Sequence, residues 1–453
     1  MTYPPEPVNG FLVSGPDTPG VQAQFTYPPE LKNELLADPR RYEIHGDYWG
    51  RTTPADYLRR LIETVQNHTR AWLYLLGKYQ PDLFVGVFGS TDRAQHFLWK
   101  YSDPDHPAHE ALEATSTAHP IRAVYQAVDA AISELLAAVG DDVTVIVMSD
   151  HGAGPCSKVV YLDRWLESQG LLTYRNDRGH SRRSLMQSAY LLARKHFPRW
   201  AKDWLKTRWH GVREGIESSI LRDPIDWGRT QAFFLGTESA YIYLNLQGRF
   251  PEGVVRPGAE AESVSRRIVE GLSALQDLET GLPVVAAVHR KEEIYRGPRE
   301  LVSLLPDLVV TWRDWSYVVR RARGEGAATP GAIVESGVRT GDAARFMSLE
   351  LSGCHRPEGI LLARGPGVPA GREVSGAHIM DLAPTMLSLL GVPIPAHMDG
   401  KVLPEVTGAG SPGRQSADAQ ADANLTDRHE AVSYSEEERE EMKRRLRALG
   451  YLE

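Results

Sequence analysis

Two short, uninterrupted apolar runs constrain this chain most: Asp82-Leu-Phe-Val-Gly-Val-Phe88 and Thr144-Val-Ile-Val-Met148. Neither alternates polar with apolar residues, so neither suits a sheet with one wet face. Each has the pattern of a strand covered on both sides. Helical periodicity surrounds them. Thr53 is placed to N-cap a helix with Pro54 at its first position and Leu58, Leu61, Ile62 and Val65 on one face; Pro81 ends it. A second helix is predicted over Ile121–Val139, stopped by Gly140. Further strands are predicted at Tyr241–Leu246, Val284–Val288, Asp307–Thr311 and Gly359–Ala363, and a helix at Ile379–Leu390 closed by Gly391. Helices alternating with buried strands predict an α/β fold: a mainly parallel central sheet with helices on both faces.

With 453 residues, the chain has room for one large domain with insertions. Composition divides it. Residues 1–174 and 226–406 read as two parts of one α/β core. Between them, 175–225 reads as a basic, aromatic-rich helical insertion. From Arg175 to Arg213 there are eleven Lys or Arg against two Asp and no Glu, interleaved with Tyr190, Phe197, Trp200, Trp204 and Trp209. That charge could hold an anionic substrate, a membrane surface or nucleic acid, and it equally suits a solvated, partly mobile insertion. Residues 407–430 read as a flexible linker. Residues 431–453 read as a terminal helix opened by a Ser435/Glu438 capping box. The whole chain carries 51 Lys+Arg against 59 Asp+Glu, net −8, so no bulk attraction to nucleic acid is expected. Two cysteines, Cys156 and Cys354, suit a reducing compartment and exclude a Cys-based zinc site. The start has no basic stretch followed by an apolar core, and no apolar run is long enough to span a bilayer. A cytoplasmic location is the expectation.

Asp and His residues gather where the strands end, which is where open α/β sheets bind ligands. After the first apolar run come Asp92 and His96, one helical turn apart and so on one face. After the second come Asp150 and His151, with Gly152 allowing a tight turn. His355 precedes the Gly359–Ala363 strand. Any one pair is more often a turn or a cap. Three such clusters on strand ends point to divalent cations, since carboxylate and imidazole together suit a borderline metal such as zinc. His45, His106, His109 and His119 read as surface histidines. Asp381, beside His378, reads as a helix cap, and both cysteines as small buried hydrophobes.

Thr91-Asp92-Arg93-Ala94-Gln95-His96, Met148-Ser149-Asp150-His151-Gly152, Gly353-Cys354-His355-Arg356-Pro357-Glu358-Gly359 and Asp381-Leu382-Ala383-Pro384-Thr385 together resemble the alkaline phosphatase superfamily. The branch they most resemble is that of the type I phosphodiesterases and nucleotide pyrophosphatases, over about Val8 to Leu403 in the family's motif order. The resemblance implies two divalent ions, zinc or alternatively manganese, over the sheet. Asp92, His96 and His355 match the ligands of one ion, and Asp150 and His151 match two ligands of the other. It implies hydrolysis of a small phosphate ester or diester through a covalent phospho-Thr or phospho-Ser. The sequence departs from the family at its first strand, which ends in Asp-Gly, and at the Thr or Ser nucleophile that follows. Thr18, Thr26, Thr52 and Thr53 stand in contexts that do not match that nucleophile. The expectation is one complete metal site, one half-built site, and a chain inactive or impaired alone. The matching segment would belong to a misplaced gene start or to another chain, unless the enzyme has decayed. The rival readings are a non-catalytic metal-binding or interaction module, and a phosphomutase, phosphonate hydrolase or sulfatase on the same scaffold. If the basic stretch is an accessible insertion, limited trypsinolysis should cut first within 175–213; resistance there with cleavage elsewhere would place it in the core.

Overall fold

The computed structural model describes residues 3–15, 18–37, 42–44, 53–110, 119–175, 225–235, 240–295, 302–303, 305–320, 332–336 and 351–408. The predicted linker and terminal helix, apart from residues 407 and 408, lie outside these, as does the predicted insertion apart from Arg175 and Ile225. So does His45. The chain opens with paired strands β1 (Leu12–Val13) and β2 (Thr26–Tyr27) and a short helix α1 (Leu31–Leu36).

Thr53 then starts α2 (Pro54–Tyr79) as its sequence predicts: extended itself, it accepts from Asp56 N at 3.1 Å, ahead of Pro54. Gln80, left-handed at φ 46°, stops it. Helices α3 (Ser90–Ser102) and α4 (Pro120–Val139) lie against α2, and Gly140 ends α4 as expected. Tyr57, Leu61, Phe97, Leu98 and Val124 form their shared core. Each such side chain, fully buried, contributes roughly 1.5–3 kcal/mol, so α3 is firmly seated before it carries any chemistry.

Next come β3 (Val145–Met148), β4 (Gly152–Pro155), β5 (Lys158–Tyr161) and α5 (Leu162–Ser168). Strands β6 (Ala232–Leu235) and β7 (Ala240–Leu244), helix α6 (Ala259–Ser273), and strands β8 (Val285–Arg290) and β9 (Leu308–Trp312) follow. The chain then forms β10 (Tyr317–Arg320), β11 (Val334–Ser336), β12 (Gly353–Arg356), β13 (Leu361–Arg364) and α7 (Leu382–Leu389). Strands β6-β7-β9-β8 form an antiparallel sheet, with Ile242, Leu308 and Trp312 packed on Ile268 and Leu272 of α6 and Trp165 of α5. Strand β5 sits between β10 and β11; β12 pairs with β4, and β13 with β3. Among the described residues no helix is long and apolar enough to cross a membrane.

The expected mixed α/β class stands; among the described strands β5 and β10 run parallel and the other ladders are antiparallel. Among the described residues, 83–88 belong to no strand and make no backbone hydrogen bond to one. Phe84 and Phe88 pack on Trp72 of α2, with ring centroids 5.7 and 4.4 Å away. On the other side Leu83, Val85 and Val87 are 49%, 69% and 49% exposed. A run with the composition of a central strand thus has no strand paired with it among the described residues.

The antiparallel sheet is pinned at Asp307, which is 7% exposed. Its carboxylate accepts from Leu244 N at 2.7 Å, Arg249 Nη1 at 2.9 Å and Lys291 Nζ at 2.7 Å. Removing one member of a buried ion cluster strands the others, at a cost of about 3–5 kcal/mol. Asp307→Ala should therefore shift the urea midpoint by that equivalent while leaving zinc affinity at the distant cluster unchanged.

Candidate metal centre

Asp92 sits in the first turn of α3, where the helix dipole favours a carboxylate, and His96 follows one turn later. His355 lies in β12 opposite Ala153 of β4, and Asp150 and His151 occupy the turn between β3 and β4. Two glycines permit this assembly. A Cβ on Gly353 would stand 2.1 Å from the Gln95 carbonyl oxygen, and one on Gly152 would stand 2.0 Å from that of Glu358. With Cβ atoms absent, β12 closes onto α3, and Ser352 N donates to His96 O at 2.8 Å.

The result is a convergence on one oxygen. Asp92 Oδ1 lies 3.3 Å from His96 Nε2, 3.4 Å from His355 Nε2 and 3.7 Å from His151 Nε2. His96 Nε2 and His355 Nε2 are 2.9 Å apart, and the His151 and His355 rings stack at 3.7 Å. Backbone carbonyls set the tautomers. His96 Nδ1 lies 2.9 Å from Gly353 O and His151 Nδ1 lies 2.9 Å from Gly152 O. A carbonyl can only accept, so both Nδ1 atoms donate, which turns both Nε2 atoms toward Asp92. Asp92 Oδ1 is buried with no hydrogen bond of proper geometry. Burial pushes the Asp92 carboxyl up, but the His355 and His96 rings outweigh it and hold the group far below the usual carboxylate range. Imidazole nitrogens and a carboxylate oxygen gathered this closely form a donor set that a cation can share. The donor set therefore fits a divalent metal ion, and Asp92, His151 and His355 each offer a ligand atom within 4.8 Å of the others.

The structure thus brings Asp92, His96 and His355 together, with His151 as a fourth neighbour. Asp150 stands at the rim, 73% exposed, its Oδ1 3.7 Å from His151 Nε2. His151 Nε2 is equally far from Asp92 and Asp150, at 3.7 Å from each. On the flank of α3, Gln95, Trp99, His119 and Arg122 help line a cleft of about 320 Å³. Gln95 Nε2 donates to the Tyr125 hydroxyl at 2.6 Å.

His106 corrects the surface reading: it is buried, with Nε2 3.2 Å from Cys156 O. Asp381 caps as expected, accepting from His378 N and Lys401 N at 2.9 Å each. Cys156 and Cys354 are buried free thiols. Motif reading missed the carbonyls of Gly152 and Gly353 as orienting groups; the glycines themselves, next to two histidines, were the available signal.

The profile of the type I phosphodiesterase / nucleotide pyrophosphatase family matches residues 11–339. A search of curated proteins finds no match. Among solved structures, human ectonucleotide pyrophosphatase/phosphodiesterase 5 is similar at 15% identity and TM-score 0.30, over 68% of this chain and 54% of that one. Its murine counterpart is similar at 16% identity and TM-score 0.29, over 66% and 52%. The chain spans about half the length of these two proteins.

Stripped protein titrated with zinc should take up closer to one tight equivalent than two, because His151, equally far from Asp92 and Asp150, can serve only one ion at a time. His96→Ala and His355→Ala should each weaken that site by more than ~10-fold, since losing even an outer-sphere partner costs that much. Unchanged zinc content in both variants would rule out the assignment.

Proposed function

Because the chain belongs to the type I phosphodiesterase / nucleotide pyrophosphatase family, we propose that it is a metal-dependent hydrolase of small phosphate esters or diesters. One ion is held by Asp92, His96 and His355 and the other by Asp150 and His151, with zinc the metal and manganese the alternative. The observation that carries this reading is the buried Asp92 Oδ1, without a hydrogen bond yet ringed by imidazole nitrogens at 3.3–3.7 Å. Bound divalent ions supply Lewis acidity to the phosphoryl, attacking and leaving oxygens. The chain's own groups do the remaining work. Asp92 keeps its charge at any physiological pH, and the Gly353 and Gly152 carbonyls keep His96 and His151 aimed at the centre.

The attacking hydroxyl, on this reading, comes from a Thr or Ser on a further segment, either upstream of these residues or on another chain. The candidate hydroxyls among the described residues each make a hydrogen bond within their own surroundings. Thr91 Oγ1 donates to Phe88 O, Ser149 Oγ accepts from Ile360 N, Thr18 Oγ1 donates to Gly15 O, Thr26 Oγ1 donates to Pro28 O, and Thr53 caps α2. Water could attack instead, but an unpositioned nucleophile commonly costs ~100-fold or more. The two free thiols favour a reducing compartment, the cytoplasm. The same engaged hydroxyls favour the second reading, a metal-binding module without catalysis.

The test is hydrolysis of bis(4-nitrophenyl) phosphate with added zinc or manganese. Residues 1–453 alone should turn over at least ~100-fold more slowly than when a segment bearing the Thr or Ser is supplied, and Asp92→Ala should abolish both rates. Fast turnover by the chain alone, lost in Asp92→Ala, would refute the external nucleophile. No turnover in either case, with zinc bound, would favour the module.

A further inference from the structure

The metal centre uses one face of β12. Successive side chains along a strand point to opposite faces, so Cys354 lies on the far side of β12 from His355. There it joins a small buried cluster with Cys156, Val159, Tyr161 and Val318. The β4–β12 register sets Cys354 opposite Gly154, and Cys156 N donates to Ser352 O at 2.9 Å just beyond the ladder. Cys156 and Cys354 are therefore diagonal neighbours on one face. Their thiols share a hydrogen bond. The Cys354 thiol hydrogen is directed to Trp315 O at 2.9 Å, so Cys156 is the donor between the two sulfurs. Both thiols are free, with Cys156 1% exposed and Cys354 7%.

Two reduced sulfurs in contact can be joined without unfolding the protein, but the backbone must adjust. Diagonal partners in an antiparallel pair stand ~7–8 Å apart at Cα, whereas a relaxed disulfide favours ~5.5–6 Å. Closing the bond draws β4 and β12 together, and a disulfide strained in this way is readily reduced. It also takes the Cys354 hydrogen away from Trp315 O. That carbonyl sits in a turn where Asp314 and Trp315 both hold φ at 52°, a conformation that surrounding contacts must maintain. Arg356 is left as its other donor.

We propose that Cys156 and Cys354 form an oxidative modification site: hydrogen peroxide converts the pair to a disulfide, which shifts β12 and loosens the hold of His355 on a cation. Cys354, the more exposed sulfur, attacks one peroxide oxygen. The O–O bond breaks, and the thiol proton leaves with the displaced hydroxide as water. Cys156 then attacks the sulfenic acid so formed; the S–S bond forms, the S–O bond breaks, and a second water leaves. The two thiols give up two electrons in all, and peroxide takes them. A dithiol reductant reverses the change. In a reducing compartment such a disulfide is transient and sensing rather than structural. The pair itself rests on the β4–β12 geometry; its effect on cation binding rests on the metal-centre reading.

Thiol mapping and zinc titration of the full chain test the two parts separately. Stripped protein treated with hydrogen peroxide, then denatured and alkylated with N-ethylmaleimide, should yield a linked peptide pair carrying Cys156 and Cys354. Its zinc affinity should fall by ~10-fold or more, the loss expected when the surroundings of a ligand are disturbed, and should return with dithiothreitol. Peroxide should not change the zinc affinity of Cys354→Ser, or of Cys156→Ser should the first variant fold poorly. Alkylation of both thiols after peroxide would overturn the proposal, as would sulfinic acid at Cys354 alone or a linkage only between two chains. A linked pair with unchanged zinc affinity would overturn the coupling to His355. Reduced protein that binds no zinc would sink the metal centre instead, and the mapping would still decide the pair.

Discussion

Everything at the centre depends on how closely β12 lies against α3. The His96 ring reaches Gly353 O at 2.9 Å because nothing but hydrogen projects from Gly353 toward the Gln95 carbonyl. That contact orients His96, places His355 beside it at 2.9 Å, and leaves Asp92 Oδ1 enclosed by nitrogen. A side chain at 353 would part helix from strand, and the ligands would separate with them. The helical layer exists to hold α3 for this approach: Phe97, Leu98 and Tyr57 fix one face so that Asp92 and His96 present the other.

Much of this was legible because it depends on neighbours in sequence. The Thr53 cap, Pro54, the i, i+4 placement of Asp92 and His96, and the glycine stops at 140 and 391 are local rules, and the chain follows them. The ligand residues were visible because Asp-His pairs follow strands. Their grouping was less so. His151 lies as near to Asp92 as to Asp150, a distance set by the β4–β12 ladder, which joins segments some two hundred residues apart.

What escaped the sequence depends on partners rather than on pattern. Residues 82–88 read as a buried strand because composition reports what a segment would do with neighbours on both sides; among the described residues no strand pairs with it. His106 read as a surface residue because its loop is polar, yet the Cys156 carbonyl gives its ring a buried partner fifty residues away. Sheet direction was likewise underdetermined: β3 pairs with a returning strand, β13, and alternation of helix and strand carries no information about that closure.

The separation of the ligands along the chain has one further consequence. His96 and His355 are 259 residues apart, so a cation gripping both is a cross-link between the helical layer and the late strands. Such a clasp closes a very long loop, and its binding free energy becomes folding free energy. Chelation would then loosen the seam between two halves of the domain as well as quench a site. The concentration of free cation would set how tightly the early and late parts of the polypeptide are held together, as a button does for cloth.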